Sequence, residues 1–449
     1  MKRFLALFIT IFMLVTLFIL PVPVNAAGQT VYVKGNDSGE DYGDGTQAKP
    51  FNKIFTAISA IAHTGGEIIL LGDVDLGYEL DKKLDIEKWG SGEGFGAGLL
   101  NPSHDEMITI RSEPGKRYSI LFTVGYSTGS WIMGGPTTFY DIFFDFEKST
   151  YKRVFTDGWL TIFGGGCTST QTYIYNSIAH NAYRPWILNE AGELIQDENG
   201  IAKRGERSSH TEYNLIFKSG NYNYLFGTES LVEDEELKIT INTLITGDTN
   251  VVGYIQTIYY SWPFVDTANW IINTTGTIEG IWGGDWAEAR EVNIYLLSGT
   301  VNNLNLTSPN DAYSGIEIAN LYCSGGNILN TLSGGLGVST TLEYQKSFLY
   351  RSASFKPTAT PADFTKINDW DGILPAKIKA IADGNYYPEI PLIDESELLS
   401  EPAAPNSEGD NGIPTVTNPQ TSDSFGFIVL ILIFSMIFMV DVIKKKSIY

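Results

Sequence analysis

Apolar and polar residues alternate in short stretches along most of this chain, and turns rich in glycine, asparagine and aspartate separate the stretches. Clear examples are residues 107–110, 119–122, 131–133 and 160–163. Alternation with a period of two predicts β-strands that bury one face. Long runs with the 3.6-residue period of an amphipathic helix are nearly absent, so the pattern predicts an all-β protein.

A Ser/Thr-Gly dipeptide recurs between residues 218 and 326, with spacings of 27, 29, 23 and 26 between Ser219, Thr246, Thr275, Ser298 and Ser324. In the first four copies a large apolar residue stands five places after the glycine: Leu225, Val252, Ile281 and Leu304. An asparagine stands three places after it in three of them: Asn223, Asn250 and Asn302. The fifth copy departs from this. Strand-rich repeats of this length stack on their neighbours to bury a core, so we expect a β-solenoid with those four apolar residues inside.

The beginning of the repeat region carries the features of an end cap. A strand at residues 30–33 is followed by Asp44-Gly-Thr46, Pro50-Phe51 and a short helix with Ile54, Ile58 and Ile61 on one face, which ends at Gly65-Gly66. This arrangement resembles the start of right-handed parallel β-helix proteins of the pectin-lyase-like superfamily. The resemblance implies a single-stranded right-handed parallel β-helix whose first coil is covered by a capping helix, because an uncovered end exposes strand edges and core.

Domain boundaries follow from these patterns. We predict the cap at residues 27–66 and the β-helix at 67–355. A closing segment at 356–393 should cover the far end and contain a helix at 375–382, and an acidic, Pro- and Ser-rich disordered linker should occupy residues 394–417.

Both ends of the chain carry targeting patterns. Residues 1–26 have the basic start, apolar centre and small-residue exit of a secretory signal peptide, with an uncleaved helical anchor as the alternative. The tail, residues 418–449, contains Asn418, Pro419, Gln420 and Thr421, an apolar helical run, and three lysines at 444–446.

This tail resembles the cell-wall sorting signal of Gram-positive surface proteins. The resemblance implies that sortase cuts after Thr421 and joins it to peptidoglycan, with residues 425–443 in the membrane before processing. Permanent membrane anchoring is the alternative, and Ser422 leaves the sortase class open. In either case we expect a protein that is secreted and held at the cell surface.

Charge and cysteine content narrow the function classes. The net charge of −22 excludes a nucleic-acid partner, since phosphate binding needs a basic face. The only cysteines, Cys167 and Cys323, are separated by about six coils of roughly 4.8 Å, which exceeds disulfide reach. We therefore expect both to be unpaired and buried.

Two groups of aspartates are candidates for chemistry. In residues 138–146, alternation places Asp141 and Asp145 on the outward face, where they could bind calcium or act in acid-base catalysis. Polysaccharide lyases of the resembled superfamily bind calcium on an outer face and use a basic side chain, and Lys148, Lys152 and Arg153 are near in sequence. A solvated outer face is the alternative. Asp37, Asp41 and Asp44 form a second calcium candidate without EF-hand spacing, and no other cofactor is predicted.

The candidate binding patch is aromatic. If Ile281 is core, Trp282 points outward, Gly283-Gly284 make a turn, and Trp282, Asp285, Trp286 and Arg290 could stack against and hydrogen-bond a sugar. The alternative is that these rings pack loops onto the coil. A charged, poorly patterned segment at residues 167–210 holds His180 and His210, which lack partners at metal-ligand spacing.

These observations favour a surface-anchored β-helix that serves adhesion or glycan binding without catalysis. A surface polysaccharide lyase or glycoside hydrolase on the same fold is the alternative, and a structural spacer is a third possibility.

Overall fold

The structure, a computed structural model, describes residues 28–35, 42–78, 98–100, 102, 104–122, 130–147, 152–156, 159–167, 172–176, 211–228, 230–231, 238–307, 314–335 and 346–385. The chain divides into two compact units, residues 1–402 and 403–449, and every described residue belongs to the first. The predicted signal peptide, linker, sorting signal and both loop histidines lie outside the described residues.

β-Strands make up most of the described chain; nearly all are short, but the one at Asn250–Asn305 is 56 residues long and continues through all three columns of strands and the bends between them. In order they are β1 (Gln29–Val33), β2 (Gly66–Leu70), β3 (Val74–Asp75), β4 (Gly98–Leu100), β5 (Ile108–Ser112), β6 (Tyr118–Leu121), β7 (Ser130–Ile132), β8 (Thr137–Asp145), β9 (Arg153–Phe155), β10 (Leu160–Cys167), β11 (Tyr173–Tyr175), β12 (Glu212–Ser219), β13 (Asn221–Phe226), β14 (Ser230–Leu231), β15 (Ile239–Gly247), β16 (Asn250–Asn305), β17 (Ser314–Cys323), β18 (Asn327–Ser333), β19 (Lys346–Arg351), β20 (Pro361–Ala362) and β21 (Lys366–Asp369). The helices are α1 (Ile54–Ile61), a 3₁₀ turn at Leu76–Tyr78, and α2 (Ala376–Ala382).

All pairings between these strands are parallel, and they form three columns. The first column runs β1, β2, β5, the start of β8 and of β10, β12, β15, two parts of β16, β17, β19 and β21. The second column includes β3, β6 and the second halves of β8 and β10. The third runs β4, β7, β9, β11, the end of β13 and β16. The predicted all-β, right-handed parallel β-helix is confirmed.

The core lies inside the three columns and is built from aligned rows of side chains. Along β8, Ile142 and Phe144 are buried while Asp141, Phe143 and Asp145 are only partly covered, as the alternation predicts. Register places identical residue types in adjacent coils, and Phe139, Phe163 and Phe217 stack with ring centroids 5.2 and 5.3 Å apart. Such in-register stacking gives each coil apolar contacts that it could not form alone.

The Ser/Thr-Gly repeat marks the bend between the first and second columns. Gly220, Gly247 and Gly299 have φ of 99°, 60° and 97°, a region that L side chains rarely adopt. At Gly220 a Cβ would lie 1.5 Å from the Gly165 carbonyl oxygen of the preceding coil. In the fifth copy the positive φ of 72° falls at Gly326 instead of Gly325, so this copy lacks the apolar residue five places after Gly325.

The prediction that the fifth residue after each glycine is core is wrong at one position. Leu225, Ile281 and Leu304 are buried, but Val252 is 57% exposed. Register explains the error: Asn221 pairs with Asn250 and Leu225 with Ile255, so the second copy has extra residues after its glycine. Ile255 is therefore the buried equivalent of Leu225.

The first coil is covered as predicted. Helix α1 buries Ile54, Ile58 and Ile61 in the same apolar cluster as Val31 and Val33 of β1. The helix covers the apolar end of the core, while the outer edge of β1 is hydrogen-bonded to the backbone of Gly45 and Phe51.

The helix at the other end begins at Ala376, one residue after the predicted start, and it lies on the flank. Ile378 and Ile381 of α2 are buried with Ile216, Leu244 and Ile271 on the outer face of the first column. Ile367 of β21 pairs with the buried Leu349 and continues the core row, yet it is 44% exposed. The described part of the closing segment thus leaves the last coil uncovered. Within the described residues, neither helix has the length and apolar character needed to cross a membrane.

Both cysteines are free thiols, in agreement with the sequence. Cys323 is buried, whereas Cys167 is only half-buried. Burial raises the pKa of both thiols, that of Cys167 to about 12. Neither residue therefore has the character of a reactive thiolate.

Candidate functional site

Asp141 occupies a bend of the coil and not a flat outer face. Its φ is 51°, and the β8 register shifts between its neighbours Tyr140 and Ile142. Its carbonyl oxygen accepts a 2.7 Å hydrogen bond from Ser112 Oγ in the preceding coil. Asp141 thus takes the place that glycines hold in later coils. Aspartate can do so because it tolerates the left-handed conformation better than most residues with a side chain.

The basic partner of Asp141 is Arg117, which the sequence reasoning did not name. Arg117 Nη2 lies 3.1 Å from Asp141 Oδ1, and the guanidinium carbon lies 5.0 Å from the ring centre of Phe143. The two partners are 24 residues apart and meet only because one coil stacks on the next. An ion pair that also stacks on a ring stabilises this bend.

Asp145 belongs to a different local structure. Its Oδ1 accepts a 3.3 Å hydrogen bond from the Glu147 backbone amide. Four residues of extended strand span about 13 Å, so Asp141 and Asp145 do not form a compact carboxylate pair. Among the residues that the structure describes, no group of three His, Cys, Asp or Glu side chains could hold a metal ion.

Asp44 stabilises the turn before the capping helix. Its Oδ1 accepts hydrogen bonds of 3.0 Å from the Thr46 amide and 2.7 Å from Thr46 Oγ1. These bonds lower the pKa of the exposed Asp44 carboxyl. The other two calcium candidates, Asp37 and Asp41, lie outside the described residues.

The tryptophan patch is only partly described. Ile281 is buried and Trp282 is half-buried in the register that the sequence predicts, with the indole against Gly280. Gly283 and Gly284 lie within β16, which also continues around the bend at Gly299, and Gly283 passes close to the Leu306 carbonyl. The side chains of Asp285 and Trp286 are not among those that the structure describes.

Arg290 is held by carboxylates of its own column. Its Nε and Nη2 donate to the two carboxylate oxygens of Asp266 at 2.9 and 3.0 Å, and Nη1 lies 3.3 Å from Glu291. This bidentate pairing raises the pKa of Arg290 and lowers that of Asp266. The structure therefore gives Arg290 a bridging role between coils.

A row of tyrosines on the third column is the aromatic surface that the sequence reasoning missed. Register aligns Tyr173 with Tyr224 and Tyr224 with Tyr254, and we call these three residues the tyrosine stripe. Tyr173 and Tyr224 stack with centroids 4.9 Å apart, whereas Tyr254 meets Tyr224 edge-on at 67°. All three rings are half-buried.

A second aromatic row supports the stripe. Tyr175 stacks on Phe226 at 4.8 Å, and Phe226 contacts Tyr259 at 4.8 Å. At one end, the guanidinium carbon of Arg153 lies 5.9 Å from the Tyr175 ring centre. Burial raises the pKa of Tyr173, and the electrostatic effect of the nearby Tyr224 hydroxyl raises it further. The Tyr173 side chain therefore remains a neutral phenol that can form hydrogen bonds.

The described aromatic residues of the third column form one extended surface. Aromatic edges and phenol groups follow the coil axis over three coils, and Trp282 adds an indole on β16. A sequence signal existed: an aliphatic core residue stands between flanking rings in 173–175 and 224–226. Comparison with known proteins gave no matching family model, no matching curated protein and no matching solved structure.

Proposed function

We propose that this protein is a β-helix displayed on a Gram-positive cell surface and that it binds a glycan on its third column without catalysis. The signal-peptide pattern of residues 1–26 and the sorting-signal pattern around Thr421 support export and anchoring. The observation that carries the binding proposal is the tyrosine stripe, a continuous aromatic row on an outer sheet face.

The physical basis is the amphipathic nature of tyrosine. A ring buries apolar area while its hydroxyl exchanges hydrogen bonds, which matches the mixed apolar and hydroxylated surface of a sugar. Tyr254, edge-on to Tyr224, interrupts the face-to-face stacking and can present ring surface that a continuous stack would hide. A glycan chain following the axis would contact successive coils.

An enzyme on the same scaffold is the second candidate, and one observation favours it: Arg117 lies beside Asp141. A lyase reaction would need a basic group free to take a proton. Arg117 instead makes an ion pair and covers Phe143, so the geometry supports binding more strongly than catalysis.

The binding proposal predicts that Tyr224→Ala and Tyr254→Ala each weaken glycan affinity by up to about tenfold, which corresponds to about 1.4 kcal/mol. The full chain is screened on a glycan array, and affinities for the best ligand are measured by calorimetry. Tyr350→Ala is the matched control, since Tyr350 stacks on Tyr322 at 4.6 Å in the first column.

Equal loss in the Tyr350 variant would show that the effect is one of stability and not of recognition. A reducing-end assay on the same glycan separates the two functions. Turnover that Asp141→Ala abolishes would favour the enzyme.

Anchoring is tested at Thr421. Thr421→Ala should shift the protein from the wall fraction to the membrane and medium, because the resembled sorting motif requires the threonine side chain at the position of the cut. Fractionation and immunoblotting measure this, with Ser424→Ala as a neighbouring control. Continued wall attachment of Thr421→Ala with a cleaved tail would exclude the sortase route.

A further inference from the structure

The chain reverses direction after its last coil and runs back along the β-helix. The Trp370 amide donates to the Arg351 carbonyl at 2.9 Å, and the Trp370 ring contacts Tyr322 edge-on at 5.4 Å. Lys377 Nζ, a few residues later, lies 2.6 Å from Glu212 Oε2 in β12. We call residues 370–382 the strap.

The strap crosses several coils of the first column. From β19 to β12 there are five parallel pairing steps, counting the one inside β16, and together they span about 24 Å. The strap therefore connects a late coil to an early one, in addition to the strand pairing that connects neighbouring coils.

The surface under the strap is apolar along its length. We call it the outer stripe, and its buried members are Leu160, Ile162, Ile216, Leu244, Ile271 and Tyr295. A row of asparagines lies beside it, and the Nδ2 of each donates to the Oδ1 of the one in the preceding coil at 2.8 to 3.1 Å; the row runs from Asn320 through Asn293, Asn269 and Asn242 to Asn214. These amides satisfy each other within the β-helix, so the strap is not needed for their hydrogen bonds.

The strap is held by few interactions compared with a strand. Two isoleucines of α2 are buried, Leu374 and Ala382 pack at the margin, and the Lys377–Glu212 pair is exposed at both side chains. A helix of seven residues is marginal by itself in water. The strands of the first column from β2 to β19, in contrast, pair with the coils on both sides.

We propose that the strap opens as a unit from an intact β-helix and uncovers the outer stripe, which then accepts α2 of a second copy of this chain, because α2 is the helix that fits it. The occupant in the closed state is the chain's own α2. Opening requires breaking the backbone hydrogen bond from Trp370 to Arg351 and the side-chain contacts of the strap, while every strand pairing of the β-helix stays in place. Regions of this kind open at lower free energy than the core.

Hydrogen exchange of the full chain tests independent opening. Amides of residues 378–382 should exchange at least tenfold faster than those of β12 and β15. A disulfide between Lys377→Cys and Glu212→Cys should slow the strap amides to the rate of the strands. Equal exchange in strap and strands before crosslinking would overturn the proposal.

A second measurement tests the uncovered stripe. The double variant Ile378→Glu, Ile381→Glu should bind a fluorescent synthetic peptide of residues 370–385, detected by anisotropy, whereas the natural chain should bind it at least tenfold more weakly. Ile373→Glu is the matched control, since Ile373 is 71% exposed, and it should behave as the natural chain.

Two results would contradict the stripe as a docking surface. One is the absence of peptide binding to a double variant that retains its β circular dichroism. The other is global unfolding of that variant, because the strap would then belong to the cooperative core.

Discussion

At the residue scale, the backbone conformation explains the role of residues whose type alone allows several roles. Asp141 looks like a candidate catalyst in the sequence, yet its positive φ and its pairing with Arg117 make it a corner residue. The alternation of residues 142–146 could be predicted because burial follows local period. The identity of Arg117 could not, since stacking of coils brings it there.

His104 gives a pH-dependent prediction at this scale. It is buried, with Nδ1 3.0 Å from the Pro102 carbonyl and Nε2 3.2 Å from the Pro136 carbonyl. Desolvation is the largest effect and lowers the pKa of His104 below 6.5, although both carbonyls oppose it. The folded state then binds fewer protons than the unfolded state, so stability should fall as the pH drops below about 6.5.

Urea denaturation at pH 7 and pH 5.5 measures this loss, and His104→Gln should reduce the difference between the two pH values. His63→Gln is the control, because His63 is exposed. A pH dependence that is unchanged in His104→Gln would assign the effect to other groups.

At the element scale, the length of each turn determines how a strand aligns with the strand of the neighbouring coil. The four apolar residues after the Ser/Thr-Gly dipeptides could be read from sequence, and three are core. Val252 fails because extra residues after Gly247 shift the strand, and insertion length is invisible without the pairing to Asn221. The tyrosine stripe was recoverable only in part, since Tyr224 flanks Leu225, which the repeat assigns to the core, whereas Ile174 and Ile255 were not assigned.

Gly220→Ala tests the bend between the first and second columns. The positive φ and the approach to the Gly165 carbonyl should together lower the free energy of unfolding by at least about 2 kcal/mol. Gly115→Ala is the matched control, since Gly115 has a φ of 78° but no atom within 4 Å of the position that a Cβ would take. It should cost only about 1 kcal/mol.

Chemical denaturation of both variants provides the comparison. Equal destabilisation would mean that backbone conformation alone, and not the stacked coil, restricts Gly220.

At the scale of the described β-helix, the two ends and the three columns differ in what covers them. Helix α1 covers the first coil, the last described coil leaves Ile367 partly exposed, and the strap occupies the first column. The capping helix could be predicted from local periodicity and its resemblance to known caps. The position of α2 could not, because its ion pair joins residues 165 apart in sequence.

The strap also affects how the β-helix would respond to a pulling force. A chain leaving from the last coil would transmit tension to one edge strand, and coils would unzip one after another. The described chain instead ends at Asn385, bonded to the end of α2 on the flank. Under the anchoring proposed above, tension that reaches Asn385 would load Ile378 and Ile381 in shear before it reached the coils, so the strap would yield while the β-helix and its tyrosine stripe stay folded.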